Sequence, residues 1–254
     1  MQQTTRQLRP MAAGELLQEA LELYRENVTL FLGIVLIPIL VEMVLNFLIV
    51  AGSSGGSGSV ILSILTSVVT VALSLLSAGA LSVAVASRYL GRAVTVGQAY
   101  SSIGADMLWI LFLASLLGGL IVGIGFVLLV IPGIYLLVRF IFVPQVVVLE
   151  RTGVFQAFSR SGQLVSGSWW RVFGIGVLLL VLIALAGVIV GAILGALLFV
   201  GGAGGSVTRA IVSGVVGVIL RPYAYTAIIL LYFDLRLRKE DLNMSSILPP
   251  TPGY

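Results

Sequence analysis

Residues 172–200 read VFGIGVLLLVLIALAGVIVGAILGALLFV, twenty-nine consecutive positions without a charged, amide or hydroxyl side chain. Crossing the hydrocarbon of a bilayer takes about 20 apolar residues at 1.5 Å of rise each. This stretch is therefore a transmembrane helix by length and composition. Working outward from it, five further apolar runs occupy Val28–Ala51, Val60–Ser87, Met107–Ile131, Ile134–Leu149 and Ala210–Leu235. The whole 254-residue chain is 59% hydrophobic and 9% charged, whereas a soluble domain carries about a quarter charged residues. That composition excludes an ordinary soluble globule and excludes disorder as well. The expected fold class is all-α: a polytopic integral membrane protein with six transmembrane helices as three hairpins and amphipathic interfacial helices.

The punctuation between the runs supports this count. Pro132-Gly133 marks the turn between the third and fourth runs, because proline breaks a helix and glycine relieves the backbone; both can be absorbed into the first turn of the fourth. The connectors Gly52–Ser59 and Gly201–Gly205 are small, flexible and uncharged. The other connectors and the two ends hold nearly all the arginine: Arg6, Arg9 and Arg25; Arg88 and Arg92; Arg151, Arg160 and Arg171; Arg236 and Arg238 with Lys239. Only Arg209 stands on the opposite side. The positive-inside bias then puts both termini in the cytoplasm of a cell-membrane protein, and an even number of spans requires them to share a side. The expected organisation is a cytoplasmic N-terminus over residues 1–27, a membrane domain over 28–237, and a disordered cytoplasmic tail over 238–254.

The N-terminal region reads as an amphipathic helix rather than a cleaved signal. Ala13, Leu16, Leu17, Ala20, Leu21, Tyr24 and Val28 share one helical stripe, with Glu15, Glu19, Glu22 and Glu26 opposite. An acidic polar face does not suit a polybasic lipid sensor, so the helix is expected to pack under the bundle. Its plan recurs. Gln98-Ala99-Tyr100-Ser101-Ser102-Ile103-Gly104 and Gln156-Ala157-Phe158-Ser159-Arg160-Ser161-Gly162 agree at five of seven positions. Each precedes tryptophan (Trp109; Trp169 and Trp170) and a membrane run, giving three units of interfacial helix plus hairpin.

Chemistry is constrained by what the chain contains. With no Cys and no His, Ser-His and Cys-His nucleophile systems and the usual zinc sites are absent. No Walker-type Gly-Lys-Ser/Thr and no Ser-x-x-Lys occurs. No catalytic residue, cofactor or metal is expected, and the arginines are too scattered for a nucleic-acid stripe; beside apolar runs they suit anionic lipid headgroups on the cytoplasmic side. Gly187, Gly191 and Gly195, and likewise Gly119 and Gly123, form small-residue stripes. Such stripes serve packing within a bundle or a seam with another copy or a membrane partner. Three charges fall inside apolar runs: Glu42, Arg139 and Arg221. Counting from the outer loops places Glu42 about 14 Å, Arg221 about 16 Å and Arg139 about 8 Å deep. Glu42 and Arg221 are level, which points either to a structural ion pair or to a binding site for a charged or zwitterionic group.

Several short motifs have a family likeness. Ile131-Pro132-Gly133-Ile134-Tyr135 leads to Arg139, Pro144 and Val148-Leu149-Glu150, then Ala157, Ser161, Gly167 and Phe173. The close is Tyr232-Phe233-Asp234-Leu235-Arg236-Leu237-Arg238, and the opening Arg9-Pro10-Met11 with Gly14-Glu15-Leu16-Leu17. Together they resemble the six-helix bacterial family named after the membrane domain of some glycerophosphoryl diester phosphodiesterases. The resemblance implies a six-helix bundle with interfacial segments. It implies no phosphodiesterase activity, since the soluble catalytic domain of fused relatives is not in these residues.

The matched residues also have physical roles of their own. Pro144 would kink the fourth run. Glu150 and Asp234 stand at cytoplasmic helix exits, where Arg151, Arg160, Arg171, Arg236 or Arg238 can pair with them in a cluster that pins helix ends. Trp169 and Trp170 fit an aromatic belt. The expected function is a non-enzymatic accessory or scaffold that organises lipid or partner proteins. The alternative is a transporter or permeation path for a small amphipathic or lipid-like solute.

Overall fold

A computed structural model describes residues 9–52, 57–200 and 205–240, and side-chain burial outside 43, 46–63 and 198–213. Ten helices follow in order: α1 (Ala13–Glu26), α2 (Val28–Gly52), α3 (Ser57–Tyr89), α4 (Val96–Ser101), α5 (Ala105–Leu128), α6 (Val130–Arg139), α7 (Val143–Glu150), α8 (Val154–Val165), α9 (Trp169–Val200) and α10 (Gly205–Lys239). No strand occurs among the described residues. The expected uncharged connectors fall mainly on 53–56 and 201–204, and most of the expected tail of 238–254 on 241–254; these lie outside the described residues, while 238 and 239 are not a loose tail but continue α10.

The three expected units are present. α1 leads into the α2–α3 hairpin, α4 into α5 and α6–α7, and α8 into α9–α10. Among the described residues five helices are long and apolar enough to cross a membrane, and α1 with α2, bent at 82°, would make a sixth. The bend sits at Asn27, whose Nδ2 donates to the Leu23 carbonyl at 3.0 Å and holds the end of α1. The echoed motifs occupy equivalent places: Ala99 on α4 and Ala157 on α8 are both fully buried. Their neighbouring aromatics anchor each helix, Tyr100 donating to the Ile34 carbonyl at 2.5 Å and Phe158 meeting Phe140 edge-on. α4 is closed by a reciprocal cap, in which Gln98 N–H donates to Thr95 Oγ1 and Thr95 N–H to Gln98 Oε1.

One turn, expected at Pro132-Gly133, falls three residues earlier. α5 ends at Leu129, which is extended (φ −163°, ψ 154°), and α6 already begins at Val130. Pro132 and Gly133 thus lie inside the first turn of α6, where a missing proline N–H is harmless. Gly133 matters for packing instead: a Cβ there would fall 2.5 Å from the Phe126 ring. A Cβ at Gly125 would fall 3.1 Å from the Gly133 backbone. The fourth run does break as Pro144 foretells, at 140–142, with Pro144 placed in the first turn of α7.

On α1 the buried set is Leu16, Leu17, Ala20 and Leu23, while Leu21 of the expected stripe is exposed. α1 lies along α10, with Tyr223 donating to the Leu17 carbonyl at 3.5 Å, and this contact selects the i, i+4, i+7 row. Burial is strongly one-sided. The largest fully buried side chains, Tyr232, Phe31, Phe142 and Phe233, gather where α1, α7 and α8 meet the ends of the long helices. Only 6% of the apolar window of α9 is buried within the chain. Such a surface is stable only against lipid or another apolar partner.

Candidate functional site

The polar residues of the chain converge at that buried end. Asp234, near the end of α10, is fully buried. Its Oδ1 accepts the Met11 N–H at 2.8 Å, and its Oδ2 accepts Arg171 Nε at 3.1 Å and Nη2 at 2.8 Å and Arg238 Nε at 2.9 Å. Arg171 Nη2 and Arg238 Nη2 also donate to the Met11 carbonyl, at 2.5 and 2.9 Å. One carboxylate and one peptide unit thereby tie the segment before α1 to the start of α9 and the end of α10. Every hydrogen bond here is charge-assisted on at least one side, the stronger class.

A second cluster ties α7, α8 and α10. Glu150 Oε1 accepts the Tyr232 hydroxyl at 2.6 Å, and both its oxygens accept Arg160 Nε, at 3.0 and 3.1 Å. Arg236 donates to Glu240 at 3.1 Å and to the Tyr232 hydroxyl at 3.3 Å. Arg160 also pairs with Glu240. Burial pulls the Arg160 pKa down, yet the carboxylates of Glu150 and Glu240 outweigh it and hold the group above its ordinary value. Lys239 closes the far end of α8 by donating to the carbonyls of Gln163 (2.7 Å) and Ser166. This satisfies orphan carbonyls where the helix dipole favours a cation.

The sequence places Glu150, Asp234 and Arg236 at a helix-pinning cluster; the structure has two, Asp234 in the first and Glu150 with Arg236 in the second. Of the five arginines expected to pair there, Arg160, Arg171, Arg236 and Arg238 do. Arg151 instead occupies the tight α7–α8 turn in a left-handed conformation (φ 51°), exposed. Sequence reasoning missed the Met11 peptide, the Tyr232 hydroxyl and the Lys239 cap. Tyr232 could have been found, because it stands four residues before Arg236 on one helical face.

The intramembrane candidates sit on three helices, α2, α6 and α10. Glu42 is half-buried on α2. Arg221 is exposed on α10, its guanidinium lying back along Gly217, with its charge acting on Tyr225. Arg139, the shallowest of the three by the sequence count, turns to neighbours near its own helix. Its Nη1 donates to the Tyr135 hydroxyl at 3.0 Å, and it packs on Gly162 of α8. Of the glycine stripes, Gly187 seats Val216 and Leu220 of α10, a packing contact within the chain. At Gly119, Gly123 and Gly195 an added Cβ would meet nothing within 4 Å among the described residues. An apolar groove of ≈ 370 Å³ lies between Ile141, Ile175 and Leu179 on one side and Ala227, Ile228 and Leu231 on the other.

The helices and the charge clusters define a polytopic α-helical integral membrane protein whose polar residues join helix ends. The chain belongs to the family described as a domain of unknown function, DUF7847, which matches residues 11–232. That match takes in Met11 and Arg171 of the first cluster and Glu150, Arg160 and Tyr232 of the second. No curated protein and no solved structure matches the chain. Nothing in these comparisons links it to the phosphodiesterase membrane domain that its short motifs resemble.

Proposed function

We propose that this protein is a non-enzymatic component of the cell membrane, with both termini cytoplasmic, acting as an accessory or scaffold that organises lipids or partner proteins. The observation that carries the reading is how the charges are spent. Asp234, Arg171 and Arg238 saturate one another and the Met11 peptide, while Glu150, Arg160, Arg236 and Glu240 close a second ring. Groups committed in this way hold helices in place. The exposed apolar length of α9 supplies the surface on which lipids, a second copy or a membrane partner would be organised. Anionic headgroups fit the arginine-bearing side, and no nucleic acid is involved.

Orientation is tested by single cysteines in this Cys-free chain. Modification from outside is expected at Ser57→Cys and Gly202→Cys, and not at Ser102→Cys or Ser245→Cys; the reverse pattern overturns the orientation. For function, mass spectrometry of the protein purified in native lipid is expected to show retained anionic phospholipid, with no solute flux in liposomes. Saturable flux that depends on Glu42 would overturn the scaffold reading. It would favour the alternative, a path for an amphipathic or lipid-like solute, which the apolar groove beside Ile141 supports.

A further inference from the structure

We infer that the α5–α6 hairpin does not cross the membrane. It enters and leaves through the leaflet that holds Trp169 and Trp170, as a wedge among that leaflet's acyl chains. Length and apolarity alone would let α5 and α6–α7 cross; their neighbours decide otherwise.

The first observation is a distance. Trp169, the first residue of α9, donates its indole N–H to the Tyr135 carbonyl at 3.4 Å and stacks on the Tyr135 ring with centroids 6.0 Å apart. Tyr135 is five residues from Val130, so the hairpin tip lies within about 8 Å of Tyr135 along α6. From that same tryptophan α9 runs on to Val200, a rise of about 46 Å. If α9 crosses the bilayer, the tip of α5–α6 stays near the face where α9 begins. No tilt of α6 changes this, because the tether to Trp169 bounds the tip in every direction.

The second observation is placement. α8 touches this segment at the break between α6 and α7, Phe158 on Phe140 and the Ser161 hydroxyl on the Arg139 carbonyl at 2.8 Å, and α9 begins beside α6 with Trp169 on Tyr135. α8 is amphipathic, with Ala157, Ser161, Leu164 and Val165 buried and Gln156, Ser159 and Gln163 exposed. A helix with such faces lies in the membrane interface, which puts the contacts it makes at Arg139 and Phe140 near that interface. Phe158 also reaches Gly118, so α8 covers α5 as well.

The third observation is exposure. Val127, Leu128, Leu129, Val130 and Ile131 are 62–87% exposed, an uninterrupted apolar tip with nothing of the chain upon it. Acyl chains are the occupant it fits. At the base of the hairpin Arg139 is exposed beside α8 and the tryptophans, where a guanidinium meets water and headgroups. As a residue of a true crossing it would stand in hydrocarbon. The wedge adds volume to one leaflet only, which makes lipid packing in that leaflet the property this protein senses or alters. Calling that leaflet cytoplasmic rests on the orientation proposed above; the shared face does not.

The test uses Leu129→Cys at the tip and Gly202→Cys between α9 and α10, in vesicles of both orientations, with Val127→Cys as a second tip probe. A membrane-impermeant maleimide is expected to modify Gly202→Cys from one face and to lose labelling at the tip from both. A fluorophore at the tip is expected to be quenched more by nitroxides near the headgroup than by nitroxides at the bilayer centre. Modification of the tip from the face that modifies Gly202→Cys, or stronger quenching at the centre, would overturn the wedge. So would aqueous labelling of the tip from the Trp169 face. If Gly202→Cys reacts only from the cytoplasmic face while the tip stays unlabelled, the orientation fails and the wedge stands.

Discussion

Replacing Asp234 by Asn tests the central junction most directly. The amide can still accept the Met11 N–H, which Oδ1 now receives at 2.8 Å. The charge that gathers Arg171 and Arg238 is lost. Breaking a buried pair by removing one partner costs about 3–5 kcal/mol. Asp234 is fully buried, but the Arg171 and Arg238 side chains are 26% and 35% exposed, so water recovers part of the loss. A working figure is about 3 kcal/mol, at the low end of that range once screening is allowed for. At about 2–4 °C per kcal/mol for a chain of this size, the midpoint should fall by about 6–12 °C. The assay is a thermal melt in lipid nanodiscs followed by tryptophan emission, because Trp169 and Trp170 immediately precede Arg171. Limited trypsinolysis at Arg25 should accelerate in parallel as α1 loosens. Arg171→Met together with Asp234→Leu should lose less than the two single changes summed, since Arg171 is then not left without its carboxylate, while Arg238 still is. An unchanged midpoint in Asp234→Asn, or strictly additive losses in the double variant, would refute the clamp.

Three further outcomes are expected. Glu42→Gln and Arg221→Gln should each destabilise the protein if the two level charges are coupled, with the double variant recovering part of the loss; simple additivity in a double-variant melt would show them independent. Gly125→Ala should cost about 1–3 kcal/mol, because its Cβ would sit 2.9 Å from Leu136 Cδ1 and 3.1 Å from the Gly133 backbone; Gly119→Ala, with open space around it, is the matched control for the same melt. The Ala12 N–H and then Arg9 hold the Glu15 carboxyl below its usual 4.5. A carboxyl depressed on folding contributes stability above its unfolded pKa and loses it as pH falls through the folded one. α1 should therefore loosen as pH drops below about 4.5, seen as faster cleavage by an acid protease, and Glu15→Gln should abolish that pH dependence.

Much of this protein is decided by local sequence. Apolar runs of bilayer length, interrupted by glycine-rich or arginine-bearing connectors, leave no other fold class open, because hydrophobic length and backbone satisfaction act along the chain. The helix starts at Val28 and Val143–Pro144 follow the same logic, as do the echoed interfacial helices α4 and α8. Even the pinning cluster was legible in part, since Glu150 and Asp234 at helix exits demand cations nearby. Its completion was not. That Asp234 would close on the Met11 peptide, 223 positions away, depends on how α1 lies along α10, and no local pattern encodes that. Nor could composition tell that Arg139 turns to Tyr135 and Gly162. The fate of the middle hairpin is the sharpest case. Its residues are as apolar as a crossing requires, and hydropathy measures only that. Which face of the membrane its tip occupies is set by one tryptophan on Tyr135 and by an amphipathic helix touching the break between α6 and α7, contacts that exist only once the helices have packed.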